Sequence, residues 1–556
     1  MKFSRRDLFI GGAGIAAGIV FTPVPWKLLG DTSIWTQNWP WIPQGAHGPV
    51  ETKHSVCTLC AAGCGIRVRM AAGWPVGISG VATNPITKGA LCPLGFAAQQ
   101  LNWHPQRLRE VRHGGRTASW AEAQAAFEKA CGEGPVTIVD GRPGRAASSV
   151  LEAFAAKHAG DYRVLLDEET RALSPYAMWS GVSAAALGYD LENMQTIVSF
   201  GVPLLDGWGT PGRFTRLWSE KAAGAADPQL RLIQIEPGLS RTAARAWRWT
   251  AIHEGSGAAL AAGLAQVLIQ EHLVNGQGPA PPQMSLVDAA AQTGLSSDAI
   301  RELARTIVER RPVVAIAAGD EPAIAALNVV LGAVGTSGGI VLKSKPQGSQ
   351  VQLEAGVGHR AMLLDSTVPW DFAPQTNAEV FRFAAWDGGN SKADWLLPSP
   401  GFAEELTDVP TASTSARETY AIAVNLVAQP GETKTAAQFL TNIDGTLPDV
   451  DKGIHARCEH LFESKAGTVH AEQATAVAKF ESAAKMEEQL RQGAIWVGDP
   501  LKAGGLKCAL KQWPAAANPA HAIDWTAAWQ LPVFPPLAAK LYQESDLREA
   551  PGRRQA

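Results

Sequence analysis

Short apolar runs alternate with longer amphipathic stretches through the middle of the chain. "PVTIVDG" (135–141) precedes "AASSVLEAFAAKHAG", and "YRVLLDEE" follows. "QTIVSFG" (195–201) leads into "GRFTRLWSEKAAG", then "RLIQIEP" and "GAALAAGLAQVLIQEHLV"; "PVVAIAAG" (312–319) precedes "PAIAALNVVLGAVG". Near-continuous apolar runs of strand length between helical stretches predict strands buried on both faces. The fold class is therefore α/β with largely parallel sheets. Gly141, Gly201 and Gly319 fall at predicted strand carboxyl ends, where open sheets bind ligands; ordinary turns are the other reading and the favoured one, because no fuller fingerprint surrounds them. "SLVDAAAQTGLSSDAIRELARTIVERR" (285–311) predicts paired helices with Ser296 or Ser297 as a cap. Beyond about residue 430 the chain is rich in Pro, Ala and Gly, and the pattern predicts little.

At 58.8 kDa the chain is too long for one ordinary core, so two to four domains are expected. A net charge of −3 gives no basic excess to draw nucleic acid. There are seven cysteines, four of them (Cys57, Cys60, Cys64, Cys92) close in sequence. Cys131, Cys458 and Cys508 are scattered, as small buried hydrophobes are. A disulfide-stapled scaffold would need a denser, more even distribution.

The amino terminus changes the picture. Ser4-Arg5-Arg6-Asp7-Leu8-Phe9 precedes an uncharged apolar run to about Pro25, the pattern of a twin-arginine export signal. The glycines from Gly12 superficially fit a dinucleotide fingerprint, but too few residues precede them for the required strand. The twin-arginine route carries folded proteins, so a metal centre can be inserted before export. No A-x-A cleavage site is evident, and the run is near the lower length limit for a membrane anchor. Cleavage stays open. "PWKLLGDTSIWTQNWPWIP" (25–43) crowds four of the 19 tryptophans together. It reads equally as an interface arm or as an arm packed on its own domain. The expected segments are a signal or anchor (1–30), a Trp-rich arm (31–52), an iron–sulfur domain (53–112), an α/β domain (113–320), a second α/β region (321–430) and a reduced carboxy-terminal region (431–556).

"CTLCAAGC" (57–64) and Cys92 give the spacing C-x2-C-x3-C-x27-C. Three clustered thiolates and one remote one are a common ligand set for a [4Fe–4S] cluster, so Cys57, Cys60, Cys64 and Cys92 are the candidate cofactor and metal ligands. Gly63 and Gly65 let the backbone turn so that thiolates converge, and Pro93 stiffens the turn after the fourth. Structural zinc or plain buried thiols are the alternatives. Zinc sites more often add a second C-x-x-C or paired histidines, and none follows here.

These residues also carry a family likeness. "CTLCAAGCGIRVRM", "TKGALCPLGF", "HPQRLREV" and "TASWAEAQAAF" resemble the amino-terminal part of the molybdopterin oxidoreductases, the dimethyl sulfoxide reductase family. "LRLIQIEPGLSRTAARAWRWTAIHEGSGAALAAGLAQVLIQEHLV" (230–274), "AALNVVLGAVGTSGGI" (325–340) and "ADWLLPSPGFAEE" (393–405) are similar to later signatures, so the likeness runs over about 50–430. It implies a multidomain molybdopterin-oxidoreductase-like fold, with a small iron–sulfur domain ahead of parallel-sheet Rossmann-like domains. The departures are informative. Catalytic members carry a basic residue two positions after the fourth cysteine, where this chain has Leu94. The region of the molybdenum ligand, "YAMWSGVSAAALGYDLE" (176–192), offers only Ser180 and Ser183. Where the family has Pro-Gly-Thr-Asp, this chain has Glu254-Gly255-Ser256-Gly257.

"TPVPWKLLGDTSIWTQNWPWIP" (22–43) and "PPLAAKLYQESDLR" (535–548) look like the molybdopterin-like subunits of menaquinone reductase (Qrc) complexes, a branch related to alternative complex III. That likeness implies a respiratory electron-transfer subunit without molybdopterin, on the periplasmic side of the bacterial inner membrane. Its implied partners are a multihaem cytochrome c subunit, a ferredoxin-like iron–sulfur subunit and an integral membrane quinone-binding subunit. A catalytic molybdopterin enzyme, such as a sulfur-compound reductase, is the alternative; a purely structural module is a third reading. No catalytic residue is assigned: neither paired carboxylates nor a triad stand out, and His104 and His359 read as structural.

Overall fold

The computed structural model describes residues 4–21, 49–60, 62–104, 106–164, 167–274, 282–318, 321–343, 359–365, 378–387, 393–410, 415–429, 431–471, 473–500 and 505–514. The chain forms two units, Met1–Pro49 and Val50–Ala556. In the first, Arg5–Phe21 is a helix (α1), and no helix among the described residues is long and apolar enough to cross a membrane. The Trp-rich segment from 22 to 48, Gly319 and the 535–548 segment lie outside the described residues.

The second unit opens with three antiparallel strands: β1 (Val50–Val56), β2 (Gly65–Ala71) and β3 (Trp74–Gly80). On β2, Ile66, Val68 and Met70 are buried while Arg67 and Arg69 are exposed, the period-2 alternation of a half-buried sheet. Next come β4 (Val111–His113), β5 (Arg116–Ala118), β6 (Val136–Asp140), β7 (Asp161–Val164) and β8 (Leu187–Tyr189). Four strands of a second α/β layer follow: β9 (Thr196–Phe200), β10 (Arg231–Ile235), β11 (Arg248–Thr250) and β12 (Val313–Ala317). After β13 (Ile340–Leu342), the chain returns with β14 (Ala361–Asp365), β15 (Glu379–Ala384) and β16 (Trp395–Pro398). β17 (Thr407–Pro410), β18 (Thr419–Ala423), β19 (Thr468–His470), β20 (Ala474–Ala476) and β21 (Ile495–Val497) complete the set.

Two sheets carry the α/β pattern. One is a seven-stranded sheet in the order β5-β4-β16-β15-β14-β6-β7, parallel from β16 to β7. The other is four-stranded and wholly parallel, β11-β10-β9-β12. β8 and β13 pair separately, and the last five strands make an antiparallel sheet, β17-β18-β21-β19-β20. The predicted parallel character therefore holds for the middle of the chain, while both ends are antiparallel. The seven-stranded sheet takes strands from either side of residue 320, because parallel neighbours need long crossovers and can come from distant segments.

The cores follow from the buried strands. Val198, Ile233 and Val313 face Leu260 and Leu264 of the helix Gly257–Gln270 and Ile300 of the helix Ser297–Val308. Ile138, Leu363 and Phe381 pack with Phe127, Phe154 and Phe439 from three helices. Each such side chain contributes about 1.5–3 kcal/mol by leaving water. Ser296 is the cap of Ser297–Val308, accepting from the Ala299 N–H at 3.1 Å.

Candidate iron–sulfur site

Cys57 leaves β1 and Cys64 enters β2, and the Cys57 N–H donates to the Cys64 carbonyl at 2.8 Å, closing the loop between them. Gly63 sits inside this loop at φ +57, and a Cβ there would lie 2.9 Å from Val409 Cγ1. Both the left-handed backbone and the lack of room require glycine. Gly65 serves close approach rather than a turn: its Cβ would meet Asn84 Nδ2 at 3.0 Å. The Asn84 side chain accepts from the N–H groups of Ile86 (2.9 Å) and Thr87 (3.0 Å), shaping the path toward Cys92. Cys92 caps the helix Pro93–Ala97, and its Sγ accepts from the Gly95 N–H at 3.4 Å.

The fold brings all four predicted thiols together. Cys57 and Cys64 are buried, Cys60 and Cys92 half-buried, in one apolar cluster with Leu59, Ile66, Leu91, Leu94 and Phe402. Burial, followed by the neighbouring Cys92, pushes the Cys57 thiol up to about 12. Burial and the neighbouring thiols likewise push Cys60 and Cys64 well above the ordinary thiol value, and burial raises Cys92. Backbone N–H groups of Leu59, Ala62 and Gly95 oppose this by donating to sulfur. Donors aimed at four crowded, desolvated sulfurs stabilise thiolates, which burial forbids unless positive charge arrives with them. Ferric and ferrous ions in a cluster supply that charge, so the donor set fits the group. Among the described residues no three His, Cys, Asp or Glu side chains are close enough to hold one metal ion.

Sequence reasoning missed Gly212. It begins the helix Pro211–Lys221, and a Cβ on it would lie 3.4 Å from Cys64 Sγ and 3.2 Å from the Ala90 carbonyl. The helix end thus packs against the cysteine loop. Leu94, in the position of the family's basic residue, is buried in the same apolar cluster.

The carboxyl edges of the parallel sheets are built differently. Asp140 ends β6, Asp365 ends β14, and Arg145 bridges them at 3.4 and 2.5 Å. Burial alone would lower the Arg145 pKa, but Asp365, Asp140 and Glu405 outweigh it and the net shift is upward. The helix Ala146–Lys157 starts here, and its first N–H, from Ala146, donates to the Asp408 carboxylate at 2.8 Å. Arg457 pairs with that carboxylate at 2.7 Å. In the other sheet, the Thr210 N–H and Oγ1 at the start of Pro211–Lys221 donate to Glu169 at 3.0 and 3.1 Å. Helix N-termini at such edges are ready anion sites. Asp408 takes the first N–H of Ala146–Lys157, whereas Glu169 holds Thr210, the residue ahead of Pro211–Lys221. Deeper in, Arg213 and Arg216 hold Glu192; burial would raise its pKa, but the two guanidiniums bring it down to about 2.

The remaining candidates fall into structural roles. Ser180 Oγ donates to the Tyr176 carbonyl at 2.6 Å, and Ser183 precedes a short 3-10 turn. Glu254-Gly255-Ser256-Gly257 forms the turn into the helix Gly257–Gln270, with Ser256 Oγ donating to the His253 carbonyl at 2.6 Å. His359 lies beside Thr137 and 3.5 Å from Asp161. His104 Nδ1 accepts from the Gln106 N–H at 3.1 Å. Gly141 and Gly201 follow β6 and β9 directly.

Comparison with known proteins adds to this geometry. Residues 50–102 match the molybdopterin oxidoreductase Fe4S4 domain. The menaquinone reductase molybdopterin-binding-like subunit of Nitratidesulfovibrio vulgaris is 29% identical over 526 residues, covering 84% of this chain and 75% of that protein. A nitrate reductase of Klebsiella oxytoca is 26% identical over 225 residues, 38% of this chain and 25% of its own. Among solved structures, acetylene hydratase from Pelobacter acetylenicus shares the fold with a TM-score of 0.60 at 14% identity, over 87% of this chain and 79% of its own. The chain thus carries a match to the molybdopterin oxidoreductase Fe4S4 domain, is related along most of its length to the menaquinone reductase subunit, and shares its fold with a molybdopterin enzyme.

Proposed function

We propose that the chain is an iron–sulfur electron-relay and scaffold subunit of a respiratory menaquinone reductase complex, and that it works without molybdopterin. The observation that carries this reading is the gathering of Cys57, Cys60, Cys64 and Cys92 in one desolvated pocket with backbone donors aimed at sulfur. The relation to the menaquinone reductase subunit supports the respiratory role. The four thiolates would hold a [4Fe–4S] cluster, which supplies one-electron chemistry. This chain's part is to exclude water with Leu59, Leu91 and Phe402 and to set the cluster's potential through the N–H···S donors. One-electron relay needs no nucleophile or proton donor, in keeping with the structural employment of Ser180, Ser183 and His359.

The absence of molybdopterin is supported by Asp408, which takes the first N–H of Ala146–Lys157, a position where the pyrophosphate of a nucleotide cofactor would be held, and by Glu169, which ties down Thr210 just ahead of Pro211–Lys221. The twin-arginine leader supports export to the periplasmic side of the inner membrane. In that setting a multihaem cytochrome c delivers electrons, a ferredoxin-like subunit relays them, and an integral membrane subunit binds menaquinone. The test is quinone reduction by membranes carrying wild-type chain or Cys60→Ser. The reading predicts that the variant complex assembles but reduces a menaquinone analogue at least about tenfold more slowly. An unchanged rate in a complex shown to lack the cluster would remove the relay role.

A further inference from the structure

Buried charges of both signs gather beside the segment that packs on the cysteine loop. Glu169 is fully buried and holds Thr210, the residue ahead of the helix Pro211–Lys221, accepting from its N–H at 3.0 Å and its Oγ1 at 3.1 Å. Gly209, at φ +61, lets the carboxyl group approach so closely that a Cβ would fall 2.1 Å from it. Further along the same segment, a Cβ on Gly212 would lie 3.4 Å from Cys64 Sγ. From Gly209 to Gly212 the backbone reaches at most about 11 Å, so a short buried path joins the carboxylate to a cysteine of the iron–sulfur site.

Lys343 answers Glu169 from the end of another strand. It follows β13, its N–H donating to the Ala186 carbonyl at 2.9 Å, and it is 6% exposed. The charged groups acting on it are Asp167 and Glu169, from the helix Glu168–Ala172 and its cap, Arg213 of Pro211–Lys221, and Glu418 just ahead of β18. Arg213 is itself paired with Glu192. Tyr189, on the strand paired with β13, stays neutral because burial pushes its hydroxyl well above the ordinary value. Burial brings the Lys343 pKa down to about 8 in spite of the carboxylates, so its charge is held loosely. A [4Fe–4S] cluster gains one negative charge on reduction. In an interior with little screening, that charge favours protonated Lys343, and protonated Lys343 favours the reduced cluster in return. Glu169 opposes the added electron while keeping the lysine protonated.

We infer that Lys343, balanced by Glu169, sets the potential of the cysteine site and links its electron uptake to proton uptake. The inference rests on the electron-relay reading and adds the proton. One electron enters the cluster from its donor, and one proton from water binds Lys343 Nζ where that amine is neutral; both leave on oxidation, so charge balances. Asp167 and Glu418, both half-buried, give that proton acceptors between solvent and the amine.

The test is a mediated redox titration of the intact complex from about pH 6 to about pH 10, read by electron paramagnetic resonance as the difference from the Cys60→Ser complex. The inference predicts a potential that is level up to about pH 7.5 and falls above about pH 8. By about pH 10 the reduction equilibrium should weaken at least about threefold, which is about 28 mV at about 59 mV per tenfold. Lys343→Met should show the low potential throughout and Lys343→Arg the high one, because neither side chain titrates in this range. Glu169→Gln keeps an oxygen for Thr210. It should raise the potential at about pH 6, where Lys343 stays protonated, and start the fall at a lower pH. A wild-type potential level across the range, or a slope that survives in Lys343→Met, overturns the inference. Iron on this chain, counted against the Cys60→Ser complex, separates the failures. Its absence from wild type defeats the relay reading itself, whereas a loaded cluster indifferent to Lys343 defeats only the proton link.

Discussion

The cysteine pocket and the carboxyl edges of the parallel sheets are both places where a fold of this kind can hold a cofactor, and they are built on opposite principles. In the pocket, four thiols are crowded, desolvated and supplied with N–H donors within an apolar lining of Leu59, Ile66, Leu91, Leu94 and Phe402. Among the described residues at the sheet edges, Asp140 and Asp365 are answered by Arg145, Asp408 by Arg457 and the Ala146 N–H, and Glu169 by Thr210. The first arrangement is incomplete without a guest. In the second, the described charges answer one another. A buried carboxylate at a helix N-terminus, as Asp408 is at Ala146–Lys157, weakens the positive field an incoming phosphate would meet there.

This contrast can be broken most severely at the pocket. Cys64→Ala should lower iron from about four per chain to below one and cost on the order of 5 kcal/mol or more, since metal binding and folding are coupled. Elemental analysis and denaturant titration read both effects. At the edge, Arg145→Met leaves two buried carboxylates facing each other, and a loss of about 3–5 kcal/mol is expected in the same titration, with iron retained. Gly209→Ala is next. Gly209 has φ +61, and a Cβ would fall 2.1 Å from the Glu169 carboxyl group, so about 2–3 kcal/mol should be lost.

Lys343 gives a pH-dependent version of the same test. Burial, which outweighs the attraction of Asp167 and Glu169, lowers its pKa to about 8. In the unfolded chain it titrates near 10.4, so between those values the unfolded state binds more protons and stability from this residue rises with pH. Lys343→Met should therefore be more stable than wild type by roughly 2 kcal/mol at pH 7, the gap closing toward pH 10.5. Urea titrations at the two pH values decide it. The smallest effect is expected at Asp408→Asn, about 1 kcal/mol, because the amide oxygen still caps Ala146 while the charge is lost. Asp408→Ala sharpens the contrast further: inorganic pyrophosphate should raise the melting temperature of that variant and leave wild type unmoved.

The legibility of the molecule follows the range of its interactions. The convergence of the four thiols was readable because three of them share one short loop, and Gly63 could be assigned to its turn on the same local grounds. Gly212 and Asn84 were not, since what requires them is contact with residues distant in sequence. Individual strands such as Val136–Asp140 and Thr196–Phe200 announce themselves as apolar runs, and Ser296 as a cap. Their order does not, because Val136–Asp140 pairs with Ala361–Asp365 across more of the chain than any local pattern spans. The carboxy-terminal sheet was invisible for another reason: Thr468–His470, Ala474–Ala476 and Ile495–Val497 are too short to show a period. Asp408, which accepts from the first N–H of Ala146–Lys157, carries no local signal at all.

The most direct measurement is joint metal and pterin analysis of the native complex, with iron and molybdenum by mass spectrometry and pterin by fluorescence after oxidative release. After subtraction of the partners' own iron, the account predicts about four iron atoms on this chain, with neither molybdenum nor pterin. Molybdenum or pterin approaching one per chain would contradict it.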